Sequence, residues 1–169
     1  MTIPKFRKNQ RSKEPKEFVE QVVQINRVSK KTKGGNKLSF SVLMVIGDKK
    51  GRVGAGLGKA SSVPEAMEKA VAKAKKRLIK VPMKGNTIPR EITYKKGAAL
   101  IFLKPAVSGT GVIAGGAVKT VLETAGIRDV ISKVLGTNNK ISNVYATIGA
   151  LKEISYWKQV QEAREKEML

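Results

Sequence analysis

The side chains in this sequence that could do chemistry are lysines, arginines and glycines. Cysteine and histidine are both absent, which removes the thiolate nucleophile, the commonest acid–base group and the usual zinc ligands together. The 13 acids are mostly spaced beside lysines and form no carboxylate cluster suited to magnesium. No catalytic residue, metal or cofactor is therefore expected. What remains is anion binding, which needs positive charge and backbone that a phosphate can approach. Residues 27–37, RVSKKTKGGNK, carry Arg27, Lys30, Lys31, Lys33 and Lys37 with no acid. The pair Gly34 and Gly35 makes a hairpin tip free of steric limits. Lysines there would act as point charges along a phosphate backbone, with Ser29 or Thr32 as hydrogen-bond donors. An ordinary exposed hairpin loop has similar composition, but five uncompensated charges in eleven residues favour anion contact.

Two glycine-rich stretches invite comparison with phosphate-binding motifs. In residues 47–60, GDKKGRVGAGLGKA, a tight turn with Lys49 and Lys50 leads into a strand flanked by Arg52 and Lys59. Val53, Ala55 and Leu57 alternate there with Gly54, Gly56 and Gly58, so one face is apolar and the other is nearly bare backbone that admits a close neighbour. The stretch is no triphosphate loop, because Val53 stands where the first glycine belongs and Ala60 where the metal-binding hydroxyl belongs. In residues 104–126, KPAVSGTGVIAGGAVKTVLETAG, the small residues Ser108, Gly109, Thr110, Gly111, Gly115 and Gly116 precede a helix. A dinucleotide fingerprint fails here: Asp129 precedes its strand instead of ending one, and too little chain follows for a second half. Backbone amides at a helix start still suit a phosphate. A tight strand-to-helix turn that needs glycine for packing accounts for the same residues equally well.

The elements that must position these groups follow from charge and periodicity. Lys and Arg number 34 against 13 acids, a net charge of +21. A compact protein repels itself at that charge unless a polyanion neutralises it, which favours nucleic acid or an anionic membrane surface. No apolar run nears the roughly 18 residues of a membrane span, and the N-terminus lacks the basic-then-apolar order of a secretory signal, so RNA is the expected partner, with no membrane. The expected class is α+β. Residues 1–16 form a flexible basic arm. Residues 17–80 form a β-β-β-α unit: strands over 18–28 and 38–46, the glycine strand, then a helix with Ser62 and Glu65 as a capping box and Pro64 in its first turn. On that helix Val63, Met67, Ala70, Val71, Ala74 and Leu78 make an apolar stripe, and Lys69, Lys73, Lys76 and Lys80 a basic one that also suits plain solvation. Residues 81–89, VPMKGNTIP, have a linker's composition. Residues 90–154 form a β-β-α-β-α unit, with strands near 88–94, 98–104 and 130–135. Its helices carry Val118, Val121, Leu122 and Ala125, capped by Gly126, and then Val144, Ile148 and Leu151. Residues 155–169 are a charged tail with helical capacity, in which Tyr156 and Trp157 cover the domain edge.

Taken together, NRVSKKTKGG at 26–35, GDKKGRVGAGLGKA at 47–60, the helix VPEAMEKAVAKAKK, and residues 104–126 closely resemble the family of the bacterial-type fifth protein of the small ribosomal subunit. The likeness spans about residues 17–154. It implies an N-terminal domain similar to a double-stranded-RNA-binding fold and a C-terminal β-β-α-β-α domain with a left-handed crossover, against the usual handedness. The chain departs from the general duplex-binding pattern in lacking a first helix and in carrying lysines along the later helical turns, which suits a protein fixed in one folded RNA. The resemblance assigns Arg27, Val28, Ser29, Lys30, Lys31, Lys33, Gly34 and Gly35 to small-subunit (16S-type) rRNA near the neck, close to where spectinomycin-class antibiotics bind. It makes Lys49, Lys50, Arg52 and Lys59 RNA-facing, and lays Ser108, Gly109, Thr110, Gly111, Gly115 and Gly116 against RNA near the central pseudoknot. It also implies contacts with small-subunit proteins four and eight, proximity to mRNA where it enters the particle, a role in decoding accuracy, residence in the ribosome in the cytoplasm, and no homo-oligomer. A free duplex-RNA-binding regulator and a small nucleotide-dependent enzyme using residues 109–116 are the competing readings.

Overall fold

The computed structural model describes residues 17–167; the expected arm over 1–16 lies outside the described residues. Among the described residues two four-stranded sheets and three helices make up the fold, which is α+β. The first sheet contains β1 (Val19–Thr32), β2 (Gly35–Gly47), β3 (Arg52–Ala60) and β4 (Ile79–Lys80), in that order and antiparallel throughout. Helix α1 (Val63–Lys75) connects β3 to β4. The second sheet contains β5 (Ile92–Lys96), β6 (Ala99–Pro105), β7 (Val112–Ile113) and β8 (Val130–Val134), in the order β5-β6-β8-β7. It is mixed: β7 and β8 are parallel and are joined through α2 (Gly116–Ala125), whereas the other pairs are antiparallel. Helix α3 (Lys140–Glu167) closes the chain.

The bare face of β3 is covered by the protein's own helix. A β-carbon on Gly54 would lie 2.6 Å from the Ala74 carbonyl oxygen, and one on Gly56 or Gly58 would collide with the carbonyl of Ala70 or Ala66. Ala66, Ala70 and Ala74, spaced by four, are fully buried, so an alanine ridge lies in a glycine trough and the two backbones approach closely. The close neighbour expected at this face is therefore α1. The helix also ends earlier than its stripe suggests: Ile79 pairs with Val53, and Lys80 with Arg52, as the short β4. The expected capping box does not form. Ser62 is the N-cap without a side-chain bond, and the neighbouring Ser61 hydroxyl donates to Glu65 Oε2 at 3.4 Å.

The opposite face of the first sheet carries the second half of the chain. Val42 and Met44 pack with Ala66 and Ala70, while Leu43, Val45, Val53 and Ala55 join Ile101, Leu103, Val121, Leu122 and Leu151 in one large cluster. The alternation makes β2 apolar on both sides, as its sequence predicts. Leu43, Val45 and Val53 each contribute about 1.5–3 kcal/mol by burial, and Ala55 about 0.8. Together they reach the range of a whole domain's net stability, roughly 5–15 kcal/mol, so the halves are held as one packed body. The stretch 81–89 belongs to that packing: Val81 and Ile88 are buried, and Lys84 and Thr87 form a β-bridge. Its prolines and glycine signal turns, and turn chemistry says nothing about burial. In the second half Val118, Val121, Leu122 and Ala125 are buried and Gly126 caps α2 at φ 95°, as the spacing predicts. Helix α3 continues through the expected tail, and the Arg90 guanidinium lies 4.9 Å from the centre of the Trp157 ring.

A single added side chain in the trough should lift α1. Gly58→Val is expected to cost about 3 kcal/mol, measured as a shift of the denaturation midpoint, whereas Gly34→Val, at a tip with nothing within 4 Å, should change stability little.

Candidate nucleic-acid interface

The basic segment 27–37 is built into strands. Strands β1 and β2 stay paired out to Thr32 opposite Gly35, leaving a two-residue tip of Lys33 and Gly34. Gly35 takes φ 124°, a conformation glycine adopts without penalty, and the Thr32 hydroxyl donates to its carbonyl at 2.7 Å. Glycine here ends a regular ribbon; sequence composition alone suggested a loop because charge hides strand propensity. Residues 29–38 are exposed throughout. The register places Lys30 directly opposite Lys37, a like-charge pairing that weakens a ribbon in isolation. Arg27, Ser29 and Lys31 alternate with Val28 and Lys30 along β1, so both ribbon faces are cationic. No acid lies between Arg27 and Gly47 to offset them.

The turn at 47–51 serves the internal seam with its backbone and points its charges outward. The Lys49 amide donates to the Thr124 carbonyl at 3.2 Å and the Gly51 amide to that of Ala125 at 2.9 Å. Carbonyls at the C-terminal end of α2 are thus satisfied by the turn. Lys49 adopts φ 55° to do so, and a β-carbon on Gly126 would strike its backbone. The side chains of Lys49 and Lys50 are exposed. Asp48 locks the turn: one carboxylate oxygen accepts from the Lys50 and Arg52 amides at 2.8 and 2.9 Å, the other from Arg52 Nε at 2.7 Å. Burial on its own would raise the Asp48 pKa, but the Arg52 side chain and the two amides together hold it below the usual 3.8. Arg52, expected to face RNA, has its guanidinium tied to Asp48 and set 5.2 Å from the centre of the Phe18 ring. Lys59 is exposed near the end of β3. Lys69 and Lys73 on α1 and Lys76 at its C-cap are exposed, and Lys73 Nζ donates to the Leu57 carbonyl at 3.1 Å.

The glycine loop before α2 divides into two parts. The amides of Gly109 and Gly111 both donate to Asp129 Oδ1 at 3.0 Å, and that carboxylate is buried. The chain's own anion therefore fills the concavity expected for a phosphate, and Asp129 acts as a loop clamp. This also removes the cradle on which a nucleotide-dependent enzyme would depend. The second part is open: Gly115 is the N-cap of α2 without a side-chain cap, and nothing lies within 4 Å of a β-carbon placed on Gly116. Ser108 and Thr110 are exposed, with the Thr110 hydroxyl donating to the Val107 carbonyl at 2.7 Å. An open groove of about 630 Å³ runs along the seam, lined by Lys49, Met83, Asn86, Glu123 and Arg128 among others. Arg128 was not singled out by sequence, since only the fold brings it beside the 47–51 turn.

The expected site residues thus form cationic patches on a ribbon, a turn and a strand end, beside an uncharged helix start at Gly115 and Gly116. Among the described residues no three His, Cys, Asp or Glu side chains could hold a metal ion, and no helix is long and apolar enough to cross a membrane. Distributed positive charge on a rigid α+β body is the design of an RNA-binding structural protein. The sequence matches the family model described as ribosomal protein S5, N-terminal domain, over residues 18–82, and that described as ribosomal protein S5, C-terminal domain, over residues 94–164. The chain belongs to the ribosomal protein S5 family, a non-enzymatic class of small-subunit proteins that bind rRNA and other ribosomal proteins.

Two outcomes check the roles of the acids. Asp129→Ala should strand two amides, cost about 2 kcal/mol and accelerate hydrogen exchange at Gly109 and Gly111. Because the folded Asp48 pKa is depressed, its contribution is full above the unfolded value of 3.8 and is lost as pH falls through the lower folded value. Asp48→Asn should accordingly flatten that portion of the acid side of the stability profile.

Proposed function

We propose that this chain is fixed within folded small-subunit rRNA by phosphate neutralisation, and that it supports subunit assembly, decoding accuracy and the handling of mRNA where it enters the particle. The observation that carries the reading is the acid-free β1–β2 ribbon, whose opposed Lys30 and Lys37 are best relieved by a polyanion lying against them. On this reading Arg27, Ser29, Lys30, Lys31 and Lys33 follow one stretch of phosphate backbone near the neck of the subunit, and Lys49, Lys50 and Lys59 extend the contact from the 17–80 half. The 90–154 half contributes Ser108, Thr110 and the open start of α2 at Gly115 and Gly116. Small-subunit proteins four and eight are its proposed protein neighbours, in ribosomes of the cytoplasm.

If six to ten phosphates are contacted, affinity for the rRNA should fall by roughly 10³–10⁵ between 50 and 200 mM salt. Reversing Lys30, Lys31 and Lys33 to Glu should abolish most of that binding and flatten its salt dependence while the melting temperature holds. An affinity indifferent to salt, or equal loss of stability and binding, would overturn the proposal. Sedimentation of a cell lysate should place the chain with the small subunit.

A further inference from the structure

Helix α1 covers only part of the sheet face on which it lies. Its Ala66 and Ala70 sit over Gly58 and Gly56 of β3, and β1 is two strand spacings away, about 10 Å. A helix with its side chains reaches roughly 5–6 Å from its axis, so much of β1 lies beyond it. Val42 and Met44 of β2 pack with α1. Residues opposite one another in an antiparallel pair point to the same side, which puts Val22, opposite Met44, and Ile25, opposite Val42, on the helix side as well. Leu38 and Phe40 precede Val42 in steps of two and share that side. Val22 is 41% exposed, Leu38 43% and Ile25 48%, so an apolar strip runs beside the helix toward the root of the ribbon. A groove of about 370 Å³ lies between β1 and the helix, lined by Glu20, Glu68, Val71, Ala72 and Lys75.

We propose that this groove and strip are the seat of the chain's own N-terminal segment, residues 1–16. The described residues begin at Glu17, two residues before β1, at the end of the groove marked by Glu20. The sequence ahead of that point has the matching chemistry. Ile3, Pro4 and Phe6 are apolar, and Lys5, Arg7, Lys8, Arg11, Lys13 and Lys16 are cationic against the single acid Glu14. Pro15 suits a turn. An extended segment advances about 3.3 Å per residue, as a strand does, so doubling back from Pro15 and Lys16 brings Arg11 level with Glu20 and Phe6 level with Ile25. The apolar head then falls on the apolar strip and the basic stem on the acidic lip. RNA suits the place poorly: Glu20 and Glu68 repel phosphate, and Val22 and Ile25 offer a base no plane to stack on. A second copy is opposed by repulsion at net +21. The chain's own segment is held at an effective concentration on the order of mM by its short connection, so modest contacts suffice to seat it.

The test uses the full-length chain without RNA, and the absence of native cysteine lets one engineered thiol carry a spin label. With a nitroxide on Lys5→Cys, paramagnetic broadening is expected at the methyl groups of Val22, Ile25 and Leu38, while those of Ile101 and Val121 in the other half stay sharp. Mixing labelled chains with isotope-enriched unlabelled ones should remove the broadening, as contact within one chain requires. Phe6→Asp and Ile25→Asp, made separately in the labelled chain, should each lower the ratio of seated to unseated segment about tenfold or more, the loss of one buried apolar side chain. Arg11→Glu should weaken the seating, and Glu68→Arg added to it should restore it. Sharp methyl signals on all three strip residues, broadening that survives in the mixed sample, or seating unchanged in Phe6→Asp would each overturn the proposal. With no RNA in the sample, none of these outcomes bears on the RNA-binding reading.

Discussion

The approach of α1 to β3 is the constraint from which the rest of the architecture follows. Alanine carbonyls occupy the space where side chains would stand on Gly54, Gly56 and Gly58, so the helix has one seat and one direction along the sheet. With that face sealed, the sheet turns Leu43, Val45, Val53 and Ala55 the other way, and only the second half of the chain covers them. The turn at 47–51 then lies against the end of α2 and exchanges backbone hydrogen bonds with it. Rigidity of the whole body originates in residues with almost no side chain. A large cationic protein needs such an interior, because self-repulsion at net +21 works against compaction.

Acids and bases are divided by task. Asp48 and Asp129 are spent inward, on backbone amides and one guanidinium, where each fixes a loop. Lysines are left outward, on the ribbon, on the outer side of α1 and on the open face of the second sheet. The protein therefore meets a phosphate surface with loops already immobilised. Pre-organisation of this kind lowers the ordering cost of binding.

Much of this was legible from residue types, and the failures have physical causes. The α2 stripe and its Gly126 cap could be read because helical period and left-handed capping are local properties. The two-sided apolarity of β2 likewise announced a buried central strand. The destination of the glycine face was not legible: bare backbone says that something comes close without saying what. Strands β4 and β7 have two residues each, too few for any period, and exist because partners pull them into line. The amides of Gly109 and Gly111 looked free because Asp129, their acceptor, lies about twenty residues on and comes into reach only through the crossover. The ribbon's lysines and glycines mimic loop composition, while pairing to β2 decides its geometry. The candidate site was thus legible as residues and charge, but not as surfaces.

The facing lysines of the ribbon give dissolved ions two opposite effects. In the unbound protein, dissolved salt screens Lys30 from Lys37 and weakens their repulsion, since at 0.15 M the screening length is about 8 Å. The same salt loosens the attachment, because its cations compete for the phosphates. Ionic strength thus sets a compromise: concentrations that ease the finger's internal repulsion most are those at which it grips least, and dilute conditions favour capture by a finger whose arms repel each other.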